Sequence, residues 1–242
     1  MTNYYVRGDR RPVPDVAGFD EYLDPRHTAV ISIDMHEGHL SESPLTPSPC
    51  PRGRDIVQPI NDFHTKARVL GIPVIHVRSD LRVSGLDDLN GIPSAWRLFA
   101  SVRDTPPTNL AEHAIHGSKW TEFRTDVEPG DEIIDTKKRF SAFYPTDLDF
   151  LLRQMNIKTV VFNGIMSHCC ILNSAFDAQG LNYRVVVLND LTRGADEELE
   201  QASLTIMSLH VGMVMDSEEL VDVWTEGGRI TTSADAATTL VY

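Results

Sequence analysis

The chain has 242 residues, of which 41% are hydrophobic and 24% charged, and it carries a formal net charge of −13 at pH 7. That length can bury a substantial core, and the composition is ordinary for a soluble globular protein. The acidic balance excludes the basic patch that a nucleic-acid or anionic-membrane surface requires, and no apolar run approaches the roughly 20 residues of a membrane span.

Residues 1–27 hold several prolines and charges with little periodicity, and read as an N-terminal arm. Thr28-Ala-Val-Ile-Ser-Ile-Asp34 is a near-continuous apolar run ending in a carboxylate, the pattern of a buried parallel strand. Residues 35–51 are too rich in proline for regular structure. From Asp55 to Leu70 apolar residues recur at helical spacing, and Gly71 closes the pattern as a C-terminal glycine does. Pro73–Arg78 predicts a second buried strand. Residues 79–126 are the least regular part, with a short helix around Ser94–Val102; a loop-rich stretch of this length suits a cover over a substrate.

Asp131–Asp135 predicts a third strand, and Thr146–Met155 a helix capped by Thr146. Thr159–Phe162 is a fourth strand, interrupted at Gly164 and followed by a helix over Ser167–Gln179. Tyr183–Leu188 and Val211–Met215 complete six strands, with helices over Asp196–Leu209 and Ser217–Trp224. Strand–helix alternation predicts an α/β fold. It is a single doubly wound, mostly parallel six-stranded sheet with helices on both faces, in the three-layer Rossmann-type arrangement. The domain spans residues 28–226, and 227–242 form a C-terminal tail. Ligands of such sheets bind outside the carboxyl ends of the strands, where the winding reverses.

Asp34, Lys137 and Cys170 each follow an apolar strand, so all three emerge on that edge. Cys169 and Cys170 fall where a helix begins, and unpaired N–H groups with partial positive charge favour a thiolate there. Those N–H groups can also hold an oxyanion. Each residue alone has a bland explanation. A strand-end Asp commonly caps a loop, Lys137-Lys-Arg139 could be a solvated basic run, and buried structural cysteines are frequent. Taken together, a Cys–Asp–Lys set makes physical sense as an amide-hydrolysing unit. The carboxylate takes the thiol proton and returns it to the departing nitrogen, while the lysine offsets the negative charge.

The segments Ile33-Asp34-Met35, Lys137-Lys-Arg-Phe-Ser-Ala-Phe-Tyr-Pro-Thr-Asp-Leu148 and Gly164-Ile-Met-Ser-His-Cys-Cys170-Ile occur in this order. With Asp177-Ala178 and Leu188-Asn-Asp190, they make the chain resemble the isochorismatase-like cysteine hydrolases from about Thr28 to Trp224. Within that family it looks like the N-carbamoylsarcosine, biuret and ureidoacrylate amidohydrolase branch. The resemblance implies Asp34 as general base, Lys137 as its electrostatic partner and Cys170, rather than Cys169, as nucleophile. It further implies a cis peptide at Ile165–Met166 and an oxyanion hole from the Met166 and Cys170 N–H groups. Ser167 replaces a Thr and His36 a frequent Gln; His36, beside Asp34, could alter substrate preference.

Nicotinamidases of the family bind a divalent ion through Asp-x-His and a further His after the second strand. Here the region reads Arg78-Ser-Asp-Leu-Arg-Val-Ser84, without those histidines. His36-Glu-Gly-His39 is one residue short of a zinc helix motif, and His76 and His168 read as structural. No metal and no cofactor are therefore expected. The expected substrate is a small linear amide or ureide, cleaved through a thioacyl or thiocarbamoyl enzyme. Arg78 and Arg193 are candidates to hold an anionic one. The alternatives are isochorismatase-type ether or ester hydrolysis using Asp34, and a thiol-based sensor or binding module. Met1-Thr-Asn-Tyr-Tyr-Val-Arg7 lacks the layout of a secretory leader, and three cysteines are too few for a disulfide framework, so a cytoplasmic protein is expected. The resemblance implies a homo-oligomer, a dimer or tetramer.

Overall fold

The computed structural model describes residues 2–14, 16, 18–88, 94–101 and 106–225. An N-terminal hairpin, β1 (Asn3–Val6) and β2 (Asp9–Pro12), comes first, followed by β3 (Thr28–Ile33). A single helical turn, α1 (Glu37–Leu40), and the long α2 (Val57–Val69) lead to β4 (Val74–Ser79). α3 (Ala95–Ala100), β5 (Glu132–Lys137), α4 (Leu148–Gln154) and β6 (Thr159–Ile165) come next. A π-helical turn, Ser167–Ile171, opens into α5 (Leu172–Gly180), and then β7 (Arg184–Arg193), α6 (Glu197–His210), β8 (Met213–Met215) and α7 (Ser217–Thr225) complete the described chain.

The sheet order is β2-β1-β8-β7-β6-β3-β4-β5. The six strands expected from the apolar runs are present and mutually parallel, and the winding reverses between β3 and β6. Among the described residues the sheet nevertheless has eight strands rather than six. Part of the expected arm is a hairpin whose β1 pairs antiparallel with β8, at Tyr5↔Val214. No apolar alternation announces it: β2 is Asp-Arg-Arg-Pro and wholly exposed. Polar side-chain bonds hold it instead, with Tyr5 Oη donating to Asp216 (2.7 Å) and the Asn3 amide to Glu219 (2.9 Å). The segment 35–51, expected to lack regular structure, contains α1, because the His36 side chain caps the turn at Gly38 N–H. The 227–242 tail and Val102 lie outside the described residues.

β3 and β6 are buried at every position, as strands covered on both faces must be. Alternate residues feed two separate cores. Ile31, Ile33 and Phe162 meet α4, α5 and α6 through Leu152, Ala175 and Met207. Val30 and Val161 meet α2 and α7 through Ile60, Phe63 and Trp224. The edge strand β5 is pinned at its start, where Asp131 accepts both Arg68 Nε (3.0 Å) and Arg68 Nη2 (2.6 Å) from α2. His76 of β4 also lies 3.1 Å from the same carboxylate.

At Gly164 the backbone of β6 lies close against that of β3. The glycine's φ is 110°, and a Cβ there would overlap the Ile33 carbonyl. Both constraints exclude any other residue. Gly164→Ala is expected to cost more than about 2 kcal/mol, lowering Tm by about 5 °C. A thermal scan that matches the parent would contradict this packing.

Candidate active site

At the end of β3 the chain turns through Asp34 with φ 55°, a left-handed conformation that Asp tolerates better than most residues. Its N–H still donates to Val77 O (2.8 Å), so the residue stays tied to β4. Its carboxylate faces the adjacent strand ends. Oδ1 accepts the Ser79 N–H (2.9 Å) and hydroxyl (3.2 Å), and Oδ2 accepts the Lys137 ammonium (2.7 Å). Lys137, the last residue of β5, donates also to Ser79 Oγ (2.7 Å) and to Cys170 Sγ (3.4 Å). Ser79 thus receives one bond from the lysine and gives one to the carboxylate. Asp34, Lys137 and Cys170 are 0%, 1% and 8% exposed.

Burial alone would raise the Asp34 pKa, but the Lys137 charge and the nearby His36 hold it well below the carboxylate range. Burial would lower that of Lys137, and the Asp34 carboxylate outweighs it, so the ammonium is retained. Burial pushes the Cys170 thiol well above its usual value, and the Asp34 charge adds to this. The resting state is therefore carboxylate, ammonium and thiol.

Cys170 is presented by the π-helical turn, a distortion that recurs at functional sites. The Ile165–Met166 peptide before it is cis, as the resemblance implied. The Met166 carbonyl accepts the N–H groups of Cys169 (3.0 Å) and Ile171 (3.2 Å) but not that of Cys170 between them. Ser174 Oγ donates to the Cys170 carbonyl (2.6 Å) and accepts the Ala142 N–H (2.8 Å), tying this turn to the segment after Lys137.

A cavity of about 70 Å³ lies over these groups, with Met166 and Cys170 in its floor. Leu81, Trp96, Pro107 and Phe140 give apolar walls, His39 and His113 a polar one, and Lys138 and Arg139 border it. Leu81, Trp96, Pro107 and His113 belong to described parts of the stretch 79–126 that was expected to cover a substrate. His36, His39 and His113 pack ring against ring, with centroids 4.6, 5.8 and 4.8 Å apart. His39 is held by the Ser48 carbonyl at 2.6 Å, and burial drives its pKa down to about 3. Burial and the neighbouring histidines also push His113 well below the usual range. Among the described residues no group of three or more His, Cys, Asp or Glu is arranged to hold a metal ion. Asp80, in the segment after the second expected strand, faces His116 (2.9 Å) and Lys138 (3.6 Å).

The structure brings Asp34, Lys137, Cys170 and Met166 together. His36 is buried behind Asp34, with Nε2 3.8 Å from Oδ1, beyond hydrogen-bond reach and outside the cavity lining. The two arginines expected to meet substrate are elsewhere. Arg78 donates to the Thr121 carbonyl (2.9 Å) and lies against Phe123 and Asp135, because its alternate position on β4 directs it away from Asp34. Arg193 donates to the Thr192 carbonyl (2.8 Å) near Glu200. Sequence reasoning weighed His39 only as a metal ligand and passed over Ser79, His113 and Trp96. Only Ser79, at a strand end beside the apolar run of β4, had a readable signal.

A family model for the isochorismatase domain matches residues 28–219. Among solved structures, a cysteine hydrolase from Pseudomonas syringae pv. phaseolicola is 24% identical, with TM-score 0.73, over 84% of this chain and 94% of that one. An isochorismatase family protein from Desulfovibrio vulgaris is 25% identical, with TM-score 0.69, over 82% and 98%. An N-carbamoylsarcosine amidase from Thermoplasma acidophilum is 23% identical, with TM-score 0.61, over 79% and 96%. At 23–24% identity the first and third establish the shared fold alone.

Two stability predictions follow from the buried charges. Replacing Lys137 with Met leaves Asp34 uncompensated and is expected to cost about 3–5 kcal/mol, part of which Asp34→Asn restores in the double variant. Urea unfolding of the four proteins measures this, and additive effects would show that the pair is uncoupled. Burial, which is the main cause, also takes His64 to about 3. His39 and His64 therefore stay neutral when folded and take up protons when unfolded below the ordinary 6.5. Stability is full above pH 6.5 and falls as pH drops toward 3, each histidine adding up to about 1.4 kcal/mol per pH unit. A urea midpoint that is flat from pH 7 to 5 would contradict neutral burial.

Proposed function

Because this chain belongs to the isochorismatase family of hydrolases, we propose that it is a metal-independent cysteine amidohydrolase acting on a small linear amide or ureide. The observation that carries this reading is the Lys137 ammonium, donating to Asp34 at 2.7 Å and to Cys170 at 3.4 Å within one buried cluster. A structural ion pair has no need of a thiol, and a structural thiol has no need of an ion pair.

In the resting site, proton transfer from Cys170 to Asp34 is uphill, since the carboxylate is a weak base and the thiol a weak acid. It therefore accompanies attack. As Sγ bonds to the substrate carbonyl carbon, its proton passes to Asp34, and Lys137 offsets the charge that moves between them. The carbonyl oxygen becomes an oxyanion, for which the Met166 and Cys170 N–H groups are the donors. Collapse of the adduct breaks the C–N bond, and Asp34 returns the proton to the nitrogen, which leaves as ammonia or an amine. The thioacyl enzyme, thiocarbamoyl for a ureide, is then attacked by water. Asp34 takes the water proton and passes it to the departing sulfur.

Ammonia release is the readout, screened across ureides, carbamoyl amino acids and monoamides of diacids, with and without chelator. Turnover is expected to persist in chelator. Cys170→Ala is expected to lose activity by about 10³-fold or more, and Asp34→Asn to lose it without unfolding, while Cys169→Ala retains most. Full activity in the Cys170 variant would remove the thiol from the reaction and leave water activated by Asp34 in its place.

A further inference from the structure

The cavity has an uneven charge balance that the proposed chemistry does not use. Its charged lining residues are Asp34, Lys137, Lys138 and Arg139. Lys137 is matched by Asp34 (2.7 Å), and Lys138 donates to the Asp80 carbonyl and lies 3.6 Å from its carboxylate. Arg139 has no such match. Its Nη1 donates to the Lys138 carbonyl (2.7 Å) and its Nη2 to the Asp87 carbonyl (2.9 Å), and it meets no carboxylate among the described residues. Among the described residues Arg54 is also held by carbonyls alone, those of Leu40 and Ser41, but it does not line the cavity. Arg52, Arg68, Arg97 and Arg153 all lie against acidic side chains, as a chain with net charge −13 readily allows. His39 and His113 contribute no charge, because burial keeps them neutral.

Position adds to charge. Arg139 is half-buried, two residues beyond Lys137, and borders both the cavity over Cys170 and the two wider grooves outside it. The acids of these grooves are Asp177 in one and Asp80, Asp87 and Asp135 in the other. The last three lie against Lys138 and His116, Arg82 and Arg78 respectively, and none of the four forms an ion pair with Arg139. Two carbonyl bonds fix the plane of the guanidinium while leaving some of its five N–H donors unused. A fixed, uncompensated guanidinium suits bidentate capture of a carboxylate, which an ammonium on a flexible stem does not match.

Building on the amidohydrolase reading, we infer that Arg139 is a specificity-determining residue that anchors a carboxylate on the substrate. The substrate class is then a short acid bearing a terminal amide or ureide, its carbonyl at Cys170 and its carboxylate at the mouth of the cavity.

The test uses succinate and its neutral counterpart succinamide as probes, in two assays on the full chain. In the first, iodoacetamide labelling of Cys170 is followed by mass spectrometry as either compound is titrated in. Succinate is expected to protect Cys170 more strongly than succinamide, and Arg139→Gln to weaken that protection by about tenfold or more. Arg139→Lys, which keeps the charge and loses the fork, is expected to fall between. In the second, the ratio of kcat/KM for succinamate over succinamide is compared. It is expected to collapse in Arg139→Gln through a rise in KM for succinamate. Thermal melts of both variants identify any loss that comes from unfolding rather than from the anchor, and the Lys variant carries the test if the Gln variant melts early. Equal protection by the two compounds, or succinate protection that survives in Arg139→Gln, overturns the assignment. Succinate protection through Arg139 without ammonia release from any amide keeps the anion site and removes the amidohydrolase reading. Ammonia release with no preference for the acid does the reverse.

Discussion

The site depends on one buried ion pair, Asp34 with Lys137. Withdrawing a carboxylate and an ammonium from water costs several kcal/mol each, and the attraction between them repays this only when the remaining hydrogen bonds are also made. Here they are. Ser79 accepts from the lysine and donates to the carboxylate, and its N–H supplies a further bond. The left-handed turn at Asp34 and the register that sets Ser79 opposite Lys137 both serve this geometry. Each charge holds the other in its ionised form, so the base cannot lose its cation without changing its own protonation.

Topology explains why a thiol joins that pair. The winding reverses between β3 and β6, so no crossover fills the space beyond their carboxyl ends. Asp34 follows one of those strands and Cys170 the other, while Lys137 reaches in from the edge past Ser79. Gly164 lets the two central backbones approach at this point. The catalytic reading thus rests on three strand ends that are remote in sequence and adjacent in the sheet.

The parallel strands were legible because burial on both faces demands unbroken aliphatic runs, as in Ala29–Ile33 and Val160–Phe162. Asp34 was legible for the same reason, since it sits where such a run stops. Lys137, at the end of a partly exposed edge strand, and Cys170, in the turn after β6, were legible from the sequence motifs around them. The N-terminal hairpin was not. Its pairing depends on contacts with Asp216 and Glu219, more than two hundred residues away, and β2 has no buried side chain to leave a pattern. His113 was missed, and His39 weighed only as a metal ligand, because their proximity is made by a turn and a loop and not by spacing. Arg78 and Arg193 illustrate the opposite error: being near the correct sheet edge does not determine which way a side chain points. Arg139 was read within a solvated basic run, and only its lack of an acidic neighbour in the fold separates it from Lys138.

The clamp formed by Arg68, His76 and Asp131 has a consequence for how long the site survives. Among the described residues β5 has a neighbouring strand on one side only, and an edge strand is where a sheet opens first in local fluctuations. Lys137 is the last residue of that strand, so each opening would carry the ammonium away and leave Asp34 alone in the interior. By fastening the other end of β5 to α2 and β4, the clamp turns fraying into a costlier concerted release. The working lifetime of the charge pair is thereby set at Asp131, six residues from the lysine itself.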